Sequence, residues 1–563
     1  MLTVHRHFDS RRRASSGFTL VEMLVAVALV LLMMTMFAEI FTLATGSMSK
    51  QKGLAELDQR QRMVSTLLRD DFKNRSFRRI YPYHVADNPI YSTTDPAKPG
   101  NIAFDVRLGY FYVSENDPEN DSDDVLQLTV TRTDGLVFYG RTRELLDAGG
   151  NGAGANPNQP ENDDGSFYGE GLGVGTSPSA EVAYFLRNNI LYRRVLLLRH
   201  KSDITFDDAP SAGLAGTGTP LVQAGIYPVG DPSGNIYVNN ATAANRFLND
   251  FDYSANNNFA STPQMTILAE QSGLSNLIAN NDALGRPHNR FGFQRATGVG
   301  SVGFPKEYLN ASTGAGFIGR FTHEETSHVN FGWPGNPGYG ADGTIGNADD
   351  TNPYTRTGLA LTANGIVSDY VSGPRQGEDI LLTNVQSFDV KVWDPGASAG
   401  PDGQYGVAGI NDDGQNGVDD AGELGWPGSD DGSFVDIGYG PAAAPNATAA
   451  SGRGFYFARF NNKNPVFGPL TGGNRCFDTW NVGIASAANP APYRPALPGV
   501  DLQPGIAGVD DDGQNGVDDA GELGWPNSDD VPILITAIQI RVRYLDIASG
   551  LVREVTIIEN LTP

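Results

Sequence analysis

A single carboxylate, Glu22, stands inside an apolar run near the start of this chain of 563 residues. Residues 17–30 read GFTLVEMLVAVALV, and the sequence stays mostly apolar to about Phe37. A lone acid at the centre of a bilayer costs about 2.5–3.5 kcal/mol, and acids inside membrane helices are rare and functional. A plain membrane anchor would not carry this cost, so the pattern predicts a functional role for Glu22.

The flanks of the apolar run predict how it crosses the membrane. Arg6 and the three arginines at 11–13 precede it, and positively charged flanks stay in the cytoplasm. The run is long enough for the roughly 20 residues that span a bilayer. An ordinary signal peptide would place small residues after the run, and Ala44–Gly46 is a weak match to such a cleavage site. We therefore expect everything beyond about residue 45 to lie outside the cytoplasm.

The order Gly, Phe, Thr, Leu, Val, Glu at 17–22 resembles the processing site of type IV prepilins and of the pseudopilins of type II secretion. The resemblance implies that a prepilin peptidase cuts after Gly17 and methylates the new N-terminal residue, Phe18. It also implies that Glu22 neutralises the α-amine of a neighbouring subunit during filament assembly. The protein would then be single-pass in the inner membrane, with a periplasmic domain and with other pilin-like subunits as partners.

An internal repeat forms the second set of residues with chemical potential. Gly409–Asp431 and Gly508–Asp530 differ at only three of 23 positions, at an offset of 99 residues. Calcium takes six to eight oxygen ligands at near-alternate positions, and each repeat offers the 12-residue spacing of an EF-hand loop, except for glycine at position 3. The alternative is that each repeat forms a solvated acidic turn without a bound ion. The predicted calcium ligands are Asp412, Asp413, Asn416, Val418, Asp420 and Glu423, and then Asp511, Asp512, Asn515, Val517, Asp519 and Glu522.

The elements around these residues predict an α+β fold. Apolar residues recur at helical spacing at Leu54, Leu57, Val64, Leu67, Leu68 and Phe72. They indicate one long helix from about Phe18 to Arg79, which Pro82 ends, packed on an antiparallel β-sheet domain with large insertions rich in Gly, Asn and Asp. Hairpins are predicted at 181–199, turning at Asn188–Asn189, and at 533–558; a single strand is predicted at 379–394.

The predicted organisation has eight parts. A basic leader peptide is followed by a membrane and assembly helix, its amphipathic continuation and the first part of a pilin-like β domain. A loop-rich insertion, one strand of the β domain, an insertion with the duplicated acidic loops and a C-terminal hairpin complete it. The boundaries are 1–17, 18–45, 46–80, 81–200, 201–376, 377–395, 396–530 and 531–563.

Three further segments indicate which type of pilin-like subunit the chain resembles. The helix carries QRQRMVSTLLRDDF, a hairpin contains VAYFL and LYRR, and a later strand reads VQSFDV. This order is similar to the J-type minor pseudopilin of type II secretion. It implies a structural subunit of a secretion or pilus-like filament. The alternative is a pilin-anchored surface adhesin or binding protein that uses the acidic insertions for recognition.

Charge and composition exclude several other classes. The net charge is −25, and residues 1–79 carry +6, which leaves −31 for the rest of the chain. So acidic a domain argues against nucleic acid as a partner. Cys476 is the only cysteine, so no intrachain disulfide forms. The segment HEETSH at 323–328 spaces its histidines five apart, unlike the zinc motif HExxH, and no catalytic motif predicts an enzyme.

Overall fold

The computed structural model describes part of the chain, and the statements below concern that part. It comprises residues 17–77, 109–115, 120–143, 172–198, 247–258, 264–267, 290–292, 308–310, 316–329, 331, 362, 365–412, 414, 416–426, 428–437, 475–479, 496–497, 501, 503–511, 516–518, 522, 528–547 and 550–562. The chain forms two compact units, Met1–Gln61 with Asp546–Leu551, and Arg62–Leu545 with Val552–Pro563. The side chains of Leu54, Leu57 and Cys476 lie outside the description.

The N-terminal helix α1 spans Leu20–Lys73 without a break, through both Gly46 and Gly53. The prediction that it continues to Arg79 is wrong. Beyond Lys73 the backbone pairs with a strand: Arg75 forms an antiparallel bridge with Val130, and the Ser76 N–H donates to the Thr129 carbonyl at 2.9 Å. These backbone groups cannot also make helical hydrogen bonds, so the helix ends several residues before Pro82.

The described chain after α1 forms eighteen strands, two short α-helices and two 3-10 turns. The strands are β1 (Phe111–Glu115), β2 (Val125–Thr131), β3 (Phe138–Arg143), β4 (Leu172–Ser177), β5 (Ser179–Arg187), β6 (Ile190–Leu197), β7 (Ala255–Asn258), β8 (Gln264–Ile267), β9 (Tyr308–Asn310), β10 (Gly316–Gly319), β11 (Ile380–Thr383), β12 (Val385–Asp394), β13 (Ser433–Val435), β14 (Arg475–Asp478), β15 (Ala496–Leu497), β16 (Val531–Pro532), β17 (Ala537–Asp546) and β18 (Leu551–Asn560). The helices are α2 (Phe247–Asp250) and α3 (His323–Ser327). Together with α1, these antiparallel sheets confirm the α+β class.

The largest sheet has six strands in the order β11-β6-β5-β2-β1-β14. The predicted hairpin is its centre: β5 and β6 turn at Asn188 and Asn189, whose φ values are 44° and 62°. Asparagine tolerates this left-handed backbone better than most residues, which is why the Asn-Asn pair marks the turn. The last turns of α1 belong to the same core, because the rings of Phe72 and Phe111 lie 6.5 Å apart and both are buried.

The second sheet has four strands in the order β13-β12-β17-β18, and it includes the predicted C-terminal hairpin. The prediction of a single strand over 379–394 is wrong. Asn384, with φ of 60°, separates β11 from β12, and the two strands belong to different sheets. The sequence hides this break, because apolar residues continue on both sides of Asn384, from β11 into the ten-residue β12.

Described parts of the predicted insertion at 201–376 pack against the first sheet. Glu325 of α3 is fully buried and accepts hydrogen bonds from Arg187 of β5 at 2.7 Å and from the N–H of Val367 at 2.9 Å. Arg194 of β6 donates to the Phe321 carbonyl at 2.8 Å. The HEETSH segment thus contributes a buried charge, Glu325, which is paired with Arg187 as burial requires.

Candidate functional site

The start of α1 brings the predicted processing and assembly residues together. Gly17 and Phe18 precede the helix, and Phe18 is 81% exposed. The hydroxyl and the N–H of Thr19 both donate to Glu22 Oε2 at 2.9 Å, and the Glu22 N–H donates to Thr19 Oγ1 at 3.2 Å. This reciprocal pattern is a capping box, which satisfies two N–H groups that the first helical turn would otherwise leave open.

Thr19 is the residue that the sequence reasoning missed. The signal was present as Thr-Leu-Val-Glu at 19–22, the T-x-x-E spacing that marks a helix start. The cap fixes the Glu22 carboxylate on the first turn, one turn from the bond between Gly17 and Phe18. A Cβ added at Gly17 would meet no atom of the described residues within 4 Å.

The described residues of α1 are exposed at every position from Leu20 to Met48. Among the described residues, α1 is the one helix long and apolar enough to cross a membrane, and it lies near the N-terminus. So large an apolar surface on a single chain marks a site of contact with lipid or with other proteins.

The other end of α1 is held by charged contacts that use the RDD triplet. Asp71 is buried and accepts two hydrogen bonds from Arg193 of β6, at 2.8 and 2.9 Å, and one from the Tyr184 hydroxyl. Asp70 pairs with Arg132 at 2.8 Å, and the more exposed Arg69 pairs with Glu559 at 2.8 Å. The helix end is therefore fixed to the β domain by residues of both sheets.

The acidic repeats form loops whose carboxylates are bonded to their own backbone. In the first copy Glu423 is fully buried; its Oε1 accepts from the Asp412 N–H at 2.5 Å and its Oε2 from the Asp420 N–H at 3.1 Å. Asp420 caps the 3-10 turn Ala421–Glu423, since its Oδ1 accepts from the Gly422 N–H at 2.7 Å. The carboxylate predicted at position 12 thus holds the loop closed.

The second copy repeats this geometry where it is described. The Ile506 N–H donates to Asp511 Oδ2 at 2.7 Å, as the Val407 N–H does to Asp412 Oδ2 at 2.7 Å. The Asp511 N–H donates to the buried Glu522. Equal hydrogen bonds at the offset of 99 residues show that both copies adopt one local fold. The predicted ligands Asp413, Asp512, Asn515 and Asp519 lie outside the described residues.

The repeat is longer than the 23 residues recognised in the sequence. Asp402 accepts from the Gln404 N–H at 2.9 Å, and Asp501 accepts from the Gln503 N–H at 3.0 Å. Gly406, at φ of 71°, lies so close to Asp412 that a Cβ there would be 2.5 Å from its Oδ2. The identities D-x-Q-x-G-x-A-G upstream of both copies were the signal that could have shown this extension.

The predicted calcium ligands are brought together only in part. The described carboxylates of the repeats do not gather into a group of three within 4.8 Å of one another. Asn416, at φ of 53°, and Val418 and Val517 are exposed on the loops. One acceptor remains open, because the buried Oδ2 of Asp420 has no hydrogen-bond partner in the described part of the chain.

Comparison with known proteins identifies the N-terminal segment. The family model described as Prokaryotic N-terminal methylation motif matches residues 12–38, which include Gly17, Phe18 and Glu22. No curated protein and no solved structure matches the chain. The matched range covers the capped helix start and much of the exposed apolar run. Residues 12–38 therefore match a prokaryotic N-terminal methylation motif, which supports a type IV pilin-like N-terminal segment.

Proposed function

We propose that this protein is a minor pseudopilin-like structural subunit of a type II secretion or type IV pilus-like filament. The observation that carries the proposal is the capped Glu22 at the start of a helix whose first 29 residues, Leu20 to Met48, are all exposed. Prepilin peptidase cuts after Gly17, the basic leader stays cytoplasmic and the β domain lies on the periplasmic side of the inner membrane.

The chemistry of assembly follows from the first turn of α1. Cleavage between Gly17 and Phe18 leaves an ammonium group at Phe18, and methylation keeps that charge. An ammonium and a carboxylate attract far more strongly in the membrane interior than in water. Glu22 of one subunit therefore pairs with the Phe18 amine of its neighbour. Thr19 holds the carboxylate in place, so that less side-chain freedom is lost when the pair forms.

Contacts within the β domain support the J-type assignment. The RDD triplet of the helix and the LYRR segment of the hairpin, which carried the resemblance, meet directly where Arg193 binds Asp71 at 2.8 Å. The VQSFDV segment lies in β12, and the terminal pair is β17 and β18. The buried pairing of Glu325 with Arg187 gives the HEETSH segment a structural role.

Photo-cross-linking from the exposed helix tests the assembly proposal. A photoreactive amino acid at Leu24, in the full-length protein in its native membrane, should form adducts with other pilin-like subunits. Glu22→Ala should remove these adducts, whereas the matched control Glu39→Ala, which removes another exposed acid of α1, should keep them. If the protein is processed but cross-links to no pilin-like subunit, the result would contradict the proposal and favour the pilin-anchored adhesin.

We also propose that calcium binds the repeats, with the open Asp420 Oδ2 as one ligand. The loop carboxylates repel one another, and a cation that binds only the folded loop raises stability by mass action. Calcium at millimolar concentration should change the fluorescence of Trp426, which lies three residues after Glu423. Replacing Asp412 and Asp420 with asparagine, together with Asp511 and Asp519, should abolish that change. If calcium does not change the Trp426 emission of the wild type, the proposal is wrong and the loops are solvated turns.

A further inference from the structure

Three carboxylates outside the repeats converge at the turn between β1 and β2. Glu115 ends β1, and Asp123 and Asp124 directly precede β2. One oxygen from each of the three lies within 4.8 Å of the other two. Glu115 and Asp124 are almost fully buried, at 2% and 1% exposure, and Asp123 is half-buried. Three neighbouring carboxylates, two of them buried, need a proton or a cation to compensate their negative charge.

This carboxylate triad, Glu115, Asp123 and Asp124, lies where the two main sheets meet. The N–H of Val390 in β12 donates to Asp124 Oδ2 at 2.6 Å. Two residues earlier, the Phe388 N–H donates to the Asp121 carbonyl at 2.8 Å. The β1–β2 turn of the six-stranded sheet thus covers an edge of β12 in the four-stranded sheet. Whatever binds the triad also fixes this junction.

The second oxygen of Asp124 points to a ligand. Oδ1 is buried, and no donor in the described part of the chain bonds to it. The Asp124 carboxyl lies instead against the carboxyl of Glu115. Burial and the neighbouring Asp124 carboxylate raise the pKa of Glu115. Two buried carboxyl groups in contact need either a shared proton or a bound cation between them.

An ammonium group on β12 is already bound to other carboxylates. Lys391 of β12 pairs with Asp389 at 3.2 Å and with Asp436, so its single charge is matched by two carboxylates. Asp436 also adds its negative charge to the field at Glu115. This neighbourhood therefore keeps a negative excess that Lys391 does not neutralise, and it favours a cation over an anion.

We propose that Glu115, Asp123 and Asp124 bind one calcium ion, which joins the β1–β2 turn to β12. Calcium–oxygen distances of about 2.4 Å allow two ligands of one ion to lie up to roughly 4.8 Å apart, which fits the spacing of the triad. Magnesium demands near-ideal octahedral geometry and loses its water ligands reluctantly, so it should bind this largely buried site less well. The ion is separate from any calcium in the acidic repeats.

Calcium titration of the full-length protein in detergent, after removal of divalent ions with a chelator, tests the proposal. The test variant combines Asp123→Asn with Asp124→Asn, since asparagine keeps an oxygen for the Val390 N–H. The matched control combines Asp412→Asn with Asp511→Asn in the repeats. Calorimetry gives the number of bound ions, thermal unfolding gives the shift in Tm, and circular dichroism checks that each variant folds.

The wild type should bind one calcium ion that the triad variant loses and the repeat control retains. The triad variant should also lose the part of the calcium-dependent rise in Tm that the repeat control keeps. Equal calcium stoichiometry in the triad variant and the wild type would overturn the proposal. A wild type whose Tm does not respond to calcium would also overturn it and would indicate that Glu115 and Asp124 share a proton instead. Should the double variant not fold, the half-buried Asp123→Asn alone should weaken binding by more than about tenfold.

Discussion

The two ends of α1 differ in what covers their apolar side chains. Leu24 and Leu31, in the N-terminal part, are 63% and 58% exposed. Val64, Leu68 and Phe72, in the C-terminal part, are at most 2% exposed. Apolar side chains in the C-terminal part of α1 are thus buried by contacts within the chain, whereas those in the N-terminal part stay exposed. The uncovered part must be buried by lipid or by other subunits, since exposed apolar surface on this scale is unfavourable in water.

Charged groups divide in the same way. Glu22 is bonded only to Thr19, three residues away, in the contacts described above. Asp71, near the other end, binds Arg193 from a distant part of the chain. The C-terminal part of the helix therefore contributes to folding, whereas the N-terminal part is available for assembly. Substitutions in the two parts should separate these properties.

The largest expected effect is the loss of assembly in Glu22→Ala. Removing the carboxylate removes the proposed partner of the neighbouring subunit's Phe18 amine, so filament incorporation should fall below detection while membrane insertion stays at least as efficient. The amount of protein in sheared filament fractions, compared with the membrane fraction, measures this. The unfolding midpoint of the β domain should equal that of the wild type; a lowered midpoint would mean that Glu22 contributes to folding after all.

A large effect on folding stability, rather than on assembly, is expected for Phe72→Ala. The buried ring contacts Phe111, and its removal should cost about 3–5 kcal/mol of unfolding free energy. Leu31→Ala, in the exposed part, should change this free energy by less than about 0.5 kcal/mol. Urea denaturation of the detergent-solubilised protein provides both values. Similar losses in the two variants would abolish the distinction between the helix ends.

A smaller effect within the buried part is expected for Asp71→Asn. It leaves the Arg193 guanidinium without its charged partner in a largely buried place, at a cost of about 2–3 kcal/mol. Arg69→Ala breaks the more exposed pair with Glu559 and should cost no more than about 1 kcal/mol. The same denaturation experiment compares them, and equal costs would show that burial does not decide the strength of these contacts.

The smallest effect is expected for Thr19→Ala, which removes the cap of α1. Such a loss typically costs about 1 kcal/mol of local helix stability. Assembly should weaken by about fivefold, because Glu22 must then be ordered at the moment of pairing. Thr19→Ser keeps the hydroxyl and should assemble like the wild type. If Thr19→Ser is as impaired as Thr19→Ala, the hydroxyl is not what positions Glu22.

The sequence predicted the elements with strong local signals. The apolar run gave α1, and the Asn-Asn pair located the turn between β5 and β6. The end of α1 was missed because it depends on the pairing of Arg75 with Val130, a contact between distant parts of the chain. The break at Asn384 was missed because it depends on β11 and β12 belonging to different sheets, which no local pattern reveals. The carboxylate triad was also missed. Its members lie eight and nine residues apart along an acidic loop, and only the hairpin brings them together.

Mass spectrometry of the mature N-terminus tests the central claim most directly. The protein, purified from membranes of a cell that has a prepilin peptidase, should begin at Phe18 and carry one added methyl group on its α-amine. A bulky residue in place of Gly17 should leave the leader attached, because the peptidase cuts after glycine. A mature protein that begins near Gly46, or one that keeps its leader with Gly17 intact, would contradict the assignment as a processed pilin-like subunit.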